Sequence, residues 1–201
     1  MEPVMPRVIP HEALAYLRGT LGPEGVIGIT VTGVEQTAAG PGVRFDVPRL
    51  RRRRGDTRRL PERDMIAELV SRMVALRWFQ SVEPRPVPQD SSLTLMDQHP
   101  QIYDGPTETG PGWHWLLTAT ALWIEEVGVP QGWVADQVKE KFGTLRFYAH
   151  SDDEPGRVGR IIAAAEWVSG AVCETCGAPG STRAGGYVRT ACDAHAETRR
   201  G

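Results

Sequence analysis

The chain has few cysteines, no long apolar run and almost no net charge, and each shortage removes a class of function. Three cysteines in 201 residues are too few, and odd in number, for a disulfide framework. No stretch approaches the ~20 consecutive apolar residues that span a bilayer, so no membrane partner is expected. The first residues, Met1-Glu2-Pro3-Val4-Met5-Pro6, lack the basic region and apolar core of a secretory signal. A soluble, cytoplasmic protein is expected. A formal charge of −2 provides no global attraction to nucleic acid or anionic lipid, so any such binding must come from a local patch. Catalytic signatures are missing too: there is no G-x-S-x-G, no phosphate-cradling glycine loop, no H-E-x-x-H and no H-x-E deaminase pairing. The densest acidic groups, Glu125, Glu126, Asp152, Asp153 and Glu154, fall at expected helix ends, where they read as caps or solvated charge. An enzyme is the least supported class.

What is present is an ordinary globular composition, 40% hydrophobic and 24% charged. The pattern predicts an α+β fold: small β-hairpins packed with three amphipathic helices, plus a C-terminal zinc-ribbon-like module. Residues His11 to Arg18 form a short helix that Gly22-Pro23 ends. Val26 to Thr32 reads as a strand, and Val43, Phe45 and Val47 alternate in a second. The two make a hairpin with a long, soft loop over Ala38 to Gly42, or two separate strands of a larger sheet. Pro61 opens a helix carrying Met65, Ile66, Leu69, Val70, Met73 and Leu76 at helical spacing. Residues 81–112, rich in Pro and Gly, read as a linker or loop between an N-terminal α+β unit, 1–80, and a C-terminal unit, 113–201. Trp113 to Val127 is a second amphipathic helix, with His114 as a partly buried structural residue. Val138 and Phe142 are placed on the first strand of a hairpin, Leu145 and Phe147 on the second. Val158, Ile161, Ile162, Ala165, Val168 and Val172 define a third helix.

Two basic features stand out. Arg49, Arg51, Arg52, Arg53, Arg54, Arg58 and Arg59 repel one another, and so read either as a solvated connector or as a grip on phosphate. No aromatic residue is interleaved among them for stacking. Lys139, Lys141 and Arg146 make a small basic face, or a surface whose charge Glu140 balances.

The strongest chemical signal is the set of Cys173, Cys176, Cys192 and His195, in a C-x2-C-x15-C-x2-H arrangement. Each two-residue spacing forms a tight turn that presents two ligands to one ion. Three thiolates and an imidazole fill a tetrahedron and leave no position for an activated water, so one structural zinc per chain is expected. The imidazole favours zinc over iron.

The run Gln137-Val138-Lys139-Glu140-Lys141-Phe142-Gly143-Thr144-Leu145-Arg146-Phe147-Tyr148, then a helix containing Ala165-Glu166 and Ser169, then Cys173-Glu174-Thr175-Cys176-Gly177, resembles a group of uncharacterised small proteins encoded by phages and prophages. They share a "KEKFGxLRFY" segment followed by a terminal Cys/His site. The resemblance covers residues 112 to 196 and implies a shared fold and a place in a bacterial host cell, not an activity. Taken together, the expectation is a non-enzymatic, zinc-stabilised interaction protein, a phage or prophage accessory factor that binds a host or phage protein. The alternative is a nucleic-acid-binding protein that uses Arg51, Arg52, Arg53, Arg54, Arg58 and Arg59 together with Lys139, Lys141 and Arg146, with zinc as scaffold.

Overall fold

The first element is the helix α1, Val8–Gly25, whose Ile9, Ala13, Tyr16 and Leu17 recur at helical spacing and are buried. It breaks where expected: Gly22 leaves helical geometry at φ 69°, directly before Pro23. The structure is a computed structural model that describes residues 7–49, 62–154, 156–184 and 186–196.

Strands β1, Thr30–Thr37, and β2, Gly40–Asp46, form an antiparallel hairpin that pairs Val31 with Phe45 and Val34 with Val43. The first strand starts four residues later than its apolar run suggests, and the long soft loop is instead a tight turn at Ala38-Ala39. The physical reason is that Gly40 is a packing residue. Its φ is 121°, and a Cβ there would sit 2.1 Å from the Ala75 carbonyl oxygen. Helix α2, Arg63–Arg77, packs beneath this hairpin, and the Val43 N–H donates to Ser71 Oγ at 3.0 Å.

Residues 81–112 do more than connect. They contain helix α3, Ser91–Gln98, so the described residues hold five α-helices where the pattern predicts three amphipathic ones and a short one. Leu95, Ile102 and Tyr103 are buried, and the Tyr103 hydroxyl donates to the Leu117 carbonyl at 2.8 Å. The prolines punctuate this stretch, and a few well-spaced apolar anchors fasten it down. Helix α4, His114–Val127, is buried along nearly its whole length, with α2, α3 and α5 (Gly156–Ser169) packed around it. One apolar cluster runs from Ile9 to Val172, so both halves of the chain contribute to the same core.

Between α4 and α5 lies the hairpin of β3, Val134–Lys141, and β4, Thr144–His150. Val138, Leu145 and Phe147 are buried. Phe142 is not on the strand as expected: it occupies the turn with Gly143, at φ 54° and 75°, as a tight two-residue hairpin connection requires. Two short antiparallel strands, β5 (Ser181–Arg183) and β6 (Arg189–Ala191), follow. Among the described residues, no helix is long and apolar enough to cross a membrane.

Candidate metal centre

Helix α5 ends at Ser169 and the chain turns through Gly170, Ala171 and Val172 straight into Cys173, which is fully buried. The first ligand turn closes on itself: the Gly177 N–H donates to the Cys173 carbonyl at 2.9 Å, and Gly177 takes a φ of 73°. The second follows β6, where the His195 N–H donates to the Cys192 carbonyl at 3.0 Å. The hairpin β5–β6 carries the chain from one turn to the other.

The four side chains converge, with ligand atoms all within 4.8 Å of one another. His195 turns Nδ1 inward, 3.2 Å from Cys192 Sγ and 3.7 Å from Cys173 Sγ, while Cys176 Sγ lies 3.8 Å from Cys192 Sγ. A tetrahedral ion with sulfur at about 2.3 Å and nitrogen at about 2.0–2.1 Å has S···S edges of about 3.8 Å and S···N edges of about 3.6 Å. The Cys176–Cys192 and Cys173–His195 separations fall on those edges, the Cys192–His195 separation is shorter, and the cluster as a whole is compact enough for a metal ion. Its electrostatics suit a cation too. The neighbouring Cys176 thiol, and then the backbone N–H groups of Cys192, Cys176 and Thr175, hold the Cys173 thiol down to about 4 against the opposing effect of burial. Its partner Cys176 is pushed up, as the thiol donating to the Cys173 sulfur.

Groups far away in sequence hold the first turn in place. Gly112 donates to the Glu174 carbonyl at 2.7 Å, and a Cβ at Gly112 would lie 2.1 Å from the Cys173 carbonyl oxygen. Trp113 Nε1 donates to the Val172 carbonyl at 2.9 Å. From the other side, Arg77 donates to the Cys176 carbonyl at 3.0 Å and the Tyr16 hydroxyl to the Gly177 carbonyl. Glu12 sits beside both donors: it accepts from Arg77 Nε at 2.6 Å and Trp78 Nε1 at 2.6 Å, and its Oε1 lies 2.9 Å from the Tyr16 hydroxyl, whose one proton it shares with the Gly177 carbonyl. Glu12 and Arg77 are each 8% exposed at the side chain, a buried ion pair. Glu174 ties the turn to β6: its N–H donates to the Thr190 carbonyl at 3.0 Å and its carboxylate accepts from Thr190 N–H at 2.7 Å. Glu12, Tyr16, Arg77 and Trp78 carry no sequence signal for this duty. The reach of Arg77 to Cys176 and of Tyr16 to Gly177, 99 and 161 positions on, becomes visible only in three dimensions.

The other expected site residues fare differently. Arg51, Arg52, Arg53, Arg54, Arg58 and Arg59 lie outside the described residues. Lys139, Lys141 and Arg146 do share one face of β3–β4, with Lys139 directly opposite Arg146. Glu140 does not balance them. Strand alternation turns it to the opposite face, where it accepts from the Gly143 N–H at 2.6 Å and from the Tyr187 hydroxyl.

Among the acidic residues read as caps and surface charge, Glu125 and Glu126 are engaged structurally. Glu125 lies 3.0 Å from His99 Nδ1, and Glu126 pairs with Arg72 at 2.5 Å. That Arg72 reaches from α2 beside a groove of about 680 Å³ between β1–β2, α2 and α4. His114 is buried, with Nδ1 3.0 Å from Ser91 Oγ; burial, and then the nearby Arg85, lower it to about 4. It is a neutral core histidine.

Comparison with known proteins adds no identity. No protein-family model, curated protein or solved structure matches this sequence.

Proposed function

We propose that Cys173, Cys176, Cys192 and His195 hold one structural zinc ion per chain in a zinc-ribbon-like module, and that the protein is a non-enzymatic, metal-stapled binding protein of the phage or prophage accessory type. The observation that carries this reading is the convergence of the four side chains, with ligand atoms within 4.8 Å of one another and the Cys176–Cys192 and Cys173–His195 separations close to the edges of a zinc tetrahedron. Four protein ligands leave no open position for water or substrate, which supports a structural ion over a hydrolytic one. Bound zinc supplies crosslinking, not chemistry. The residues around it fix the orientation of the turn and of everything resting on it.

Two partner classes follow from the sequence, a host or phage protein and nucleic acid. The outward face of β3–β4 favours the second. Elemental analysis of the purified protein is expected to give about one zinc per chain, lost in Cys176→Ser. Metal-free protein with an unaltered melting curve would sink the proposal.

A further inference from the structure

The hairpin β3–β4 is a two-stranded ribbon with both edges covered. Along β3, the Glu108 backbone takes the place of a third strand, donating to the Val138 carbonyl at 2.8 Å and accepting from the Glu140 N–H at 3.0 Å. Along β4, the Leu145 N–H donates to Ser169 Oγ at 2.8 Å and the Phe147 N–H to Glu166 Oε1 at 3.0 Å, both from α5. An added strand has no edge to join. One sheet face rests on the core. What remains open is the other face.

That face has a specific chemistry. Gln137, Lys139 and Lys141 lie on it from β3, opposite Tyr148, Arg146 and Thr144 from β4. Among the described residues, no ion pair joins Lys139, Lys141 or Arg146 to a carboxylate. The acids nearby are engaged at its margins: Glu108 accepts from Gln137 Nε2 at 3.0 Å, and Asp136 pairs with His150 at the far end of the ribbon. Two aromatic rings stand among the cations. Phe142 is 67% exposed and Tyr148 47%. Lys141 Nζ lies 5.6 Å from the Phe142 ring centre and Lys139 Nζ 5.9 Å from that of Tyr148.

The ribbon is braced from behind by the metal module. Thr190 Oγ1 donates to the Gly143 carbonyl at 2.6 Å, and a Cβ on Gly143 would lie 3.0 Å from the Arg189 backbone. Exposed rings on a rigid mount lose little freedom when they bind.

We propose that the outward face of β3–β4, formed by Lys139, Lys141, Arg146, Phe142 and Tyr148, binds single-stranded nucleic acid, with the metal module as its brace. Unpaired bases offer the flat faces that Phe142 and Tyr148 stack against, and the three cations lie where the phosphates run. A duplex keeps those base faces stacked on one another, so the strand must be single. The proposal rests on the reading of the Cys/His cluster as a staple.

The test is the fluorescence anisotropy of a labelled oligothymidine of about 15 nucleotides, with the corresponding duplex and polyglutamate as the other arms. Zinc content is measured on every sample. The wild-type protein is expected to bind the single strand in preference to both, with a log affinity–log salt slope of about −2 from three phosphate contacts. Lys139→Glu with Lys141→Glu is expected to weaken binding more than tenfold, by about two orders of magnitude. Phe142→Asn, which keeps a residue tolerant of positive φ in the turn, is expected to weaken it about tenfold. If the double variant fails to fold, Phe142→Asn alone decides.

Zinc-loaded protein that ignores the strand at about 50 mM salt overturns the proposal and leaves the staple standing. So does equal affinity for duplex or polyglutamate, or unchanged affinity in Phe142→Asn. Binding by protein that carries no zinc overturns the staple.

Discussion

The guanidinium of Arg77 does two things at once: it neutralises a buried carboxylate and it holds the carbonyl of Cys176 in the Cys/His cluster. Arg77→Met strands Glu12 inside the protein and releases the Cys176 turn. The expected loss is about 3–5 kcal/mol in urea denaturation, with weaker zinc retention against a chelator. Glu12→Gln added to it is expected to recover part of the stability, because the unpaired charge is gone. His114 makes a different prediction. Its folded pKa, lowered to about 4, lies below the ordinary value near 6.5. Between those values the unfolded chain binds the proton and the folded chain does not. Stability from this group is therefore complete above about pH 6.5 and declines as pH falls toward 4, by on the order of 2 kcal/mol. His114→Gln is expected to flatten that part of the stability–pH curve, measured by denaturation at each pH.

At the scale of elements, the tightest demand falls on Gly112, where the chain entering α4 meets the backbone of Cys173 and Glu174. Gly112→Ala is expected to cost about 1–3 kcal/mol and to speed zinc release to a colorimetric chelator, because the added methyl has only backbone to push against. Elements with a long apolar period were legible from sequence: α2, α4 and α5 lie within a few residues of their patterns, and the spacing of the three cysteines and His195 pointed to the cluster they form. Elements defined by a distant partner were not. Helix α3 is short, with Leu95 as its one fully buried apolar residue, and it packs on α4. Phe142 reads as a core residue until the paired register of Lys141 with Thr144 puts it in the turn. Strand alternation turns Glu140 away from its lysine neighbours, and the partner it meets there, the Tyr187 hydroxyl 47 residues on, is what residue order conceals.

For the molecule as a whole, residues 81–112 carry α3 and buried apolar anchors, and both halves of the chain share one core. Tyr16 reaches Gly177 across 161 residues, and α1 and α2 both donate to the first ligand turn. Chelation of zinc is therefore expected to disturb more than the C-terminal module. Thermal unfolding followed by tryptophan fluorescence, which reports Trp78 and Trp113 next to the turn, is expected to shift down as one transition. Two separate transitions, with only the first sensitive to metal, would show instead that the halves unfold independently.

The long reach from Arg77 to Cys176 also has a meaning in time. These groups are 99 residues apart, and a ribosome adding about 5–20 residues per second needs roughly 5–20 s to pass from one to the other. During that interval Glu12, Tyr16, Arg77 and Trp78 are already made, while the carbonyls that Arg77 and Tyr16 will serve do not yet exist. The nascent chain must keep that polar nest and its apolar surroundings from mispairing until the first cysteine turn arrives.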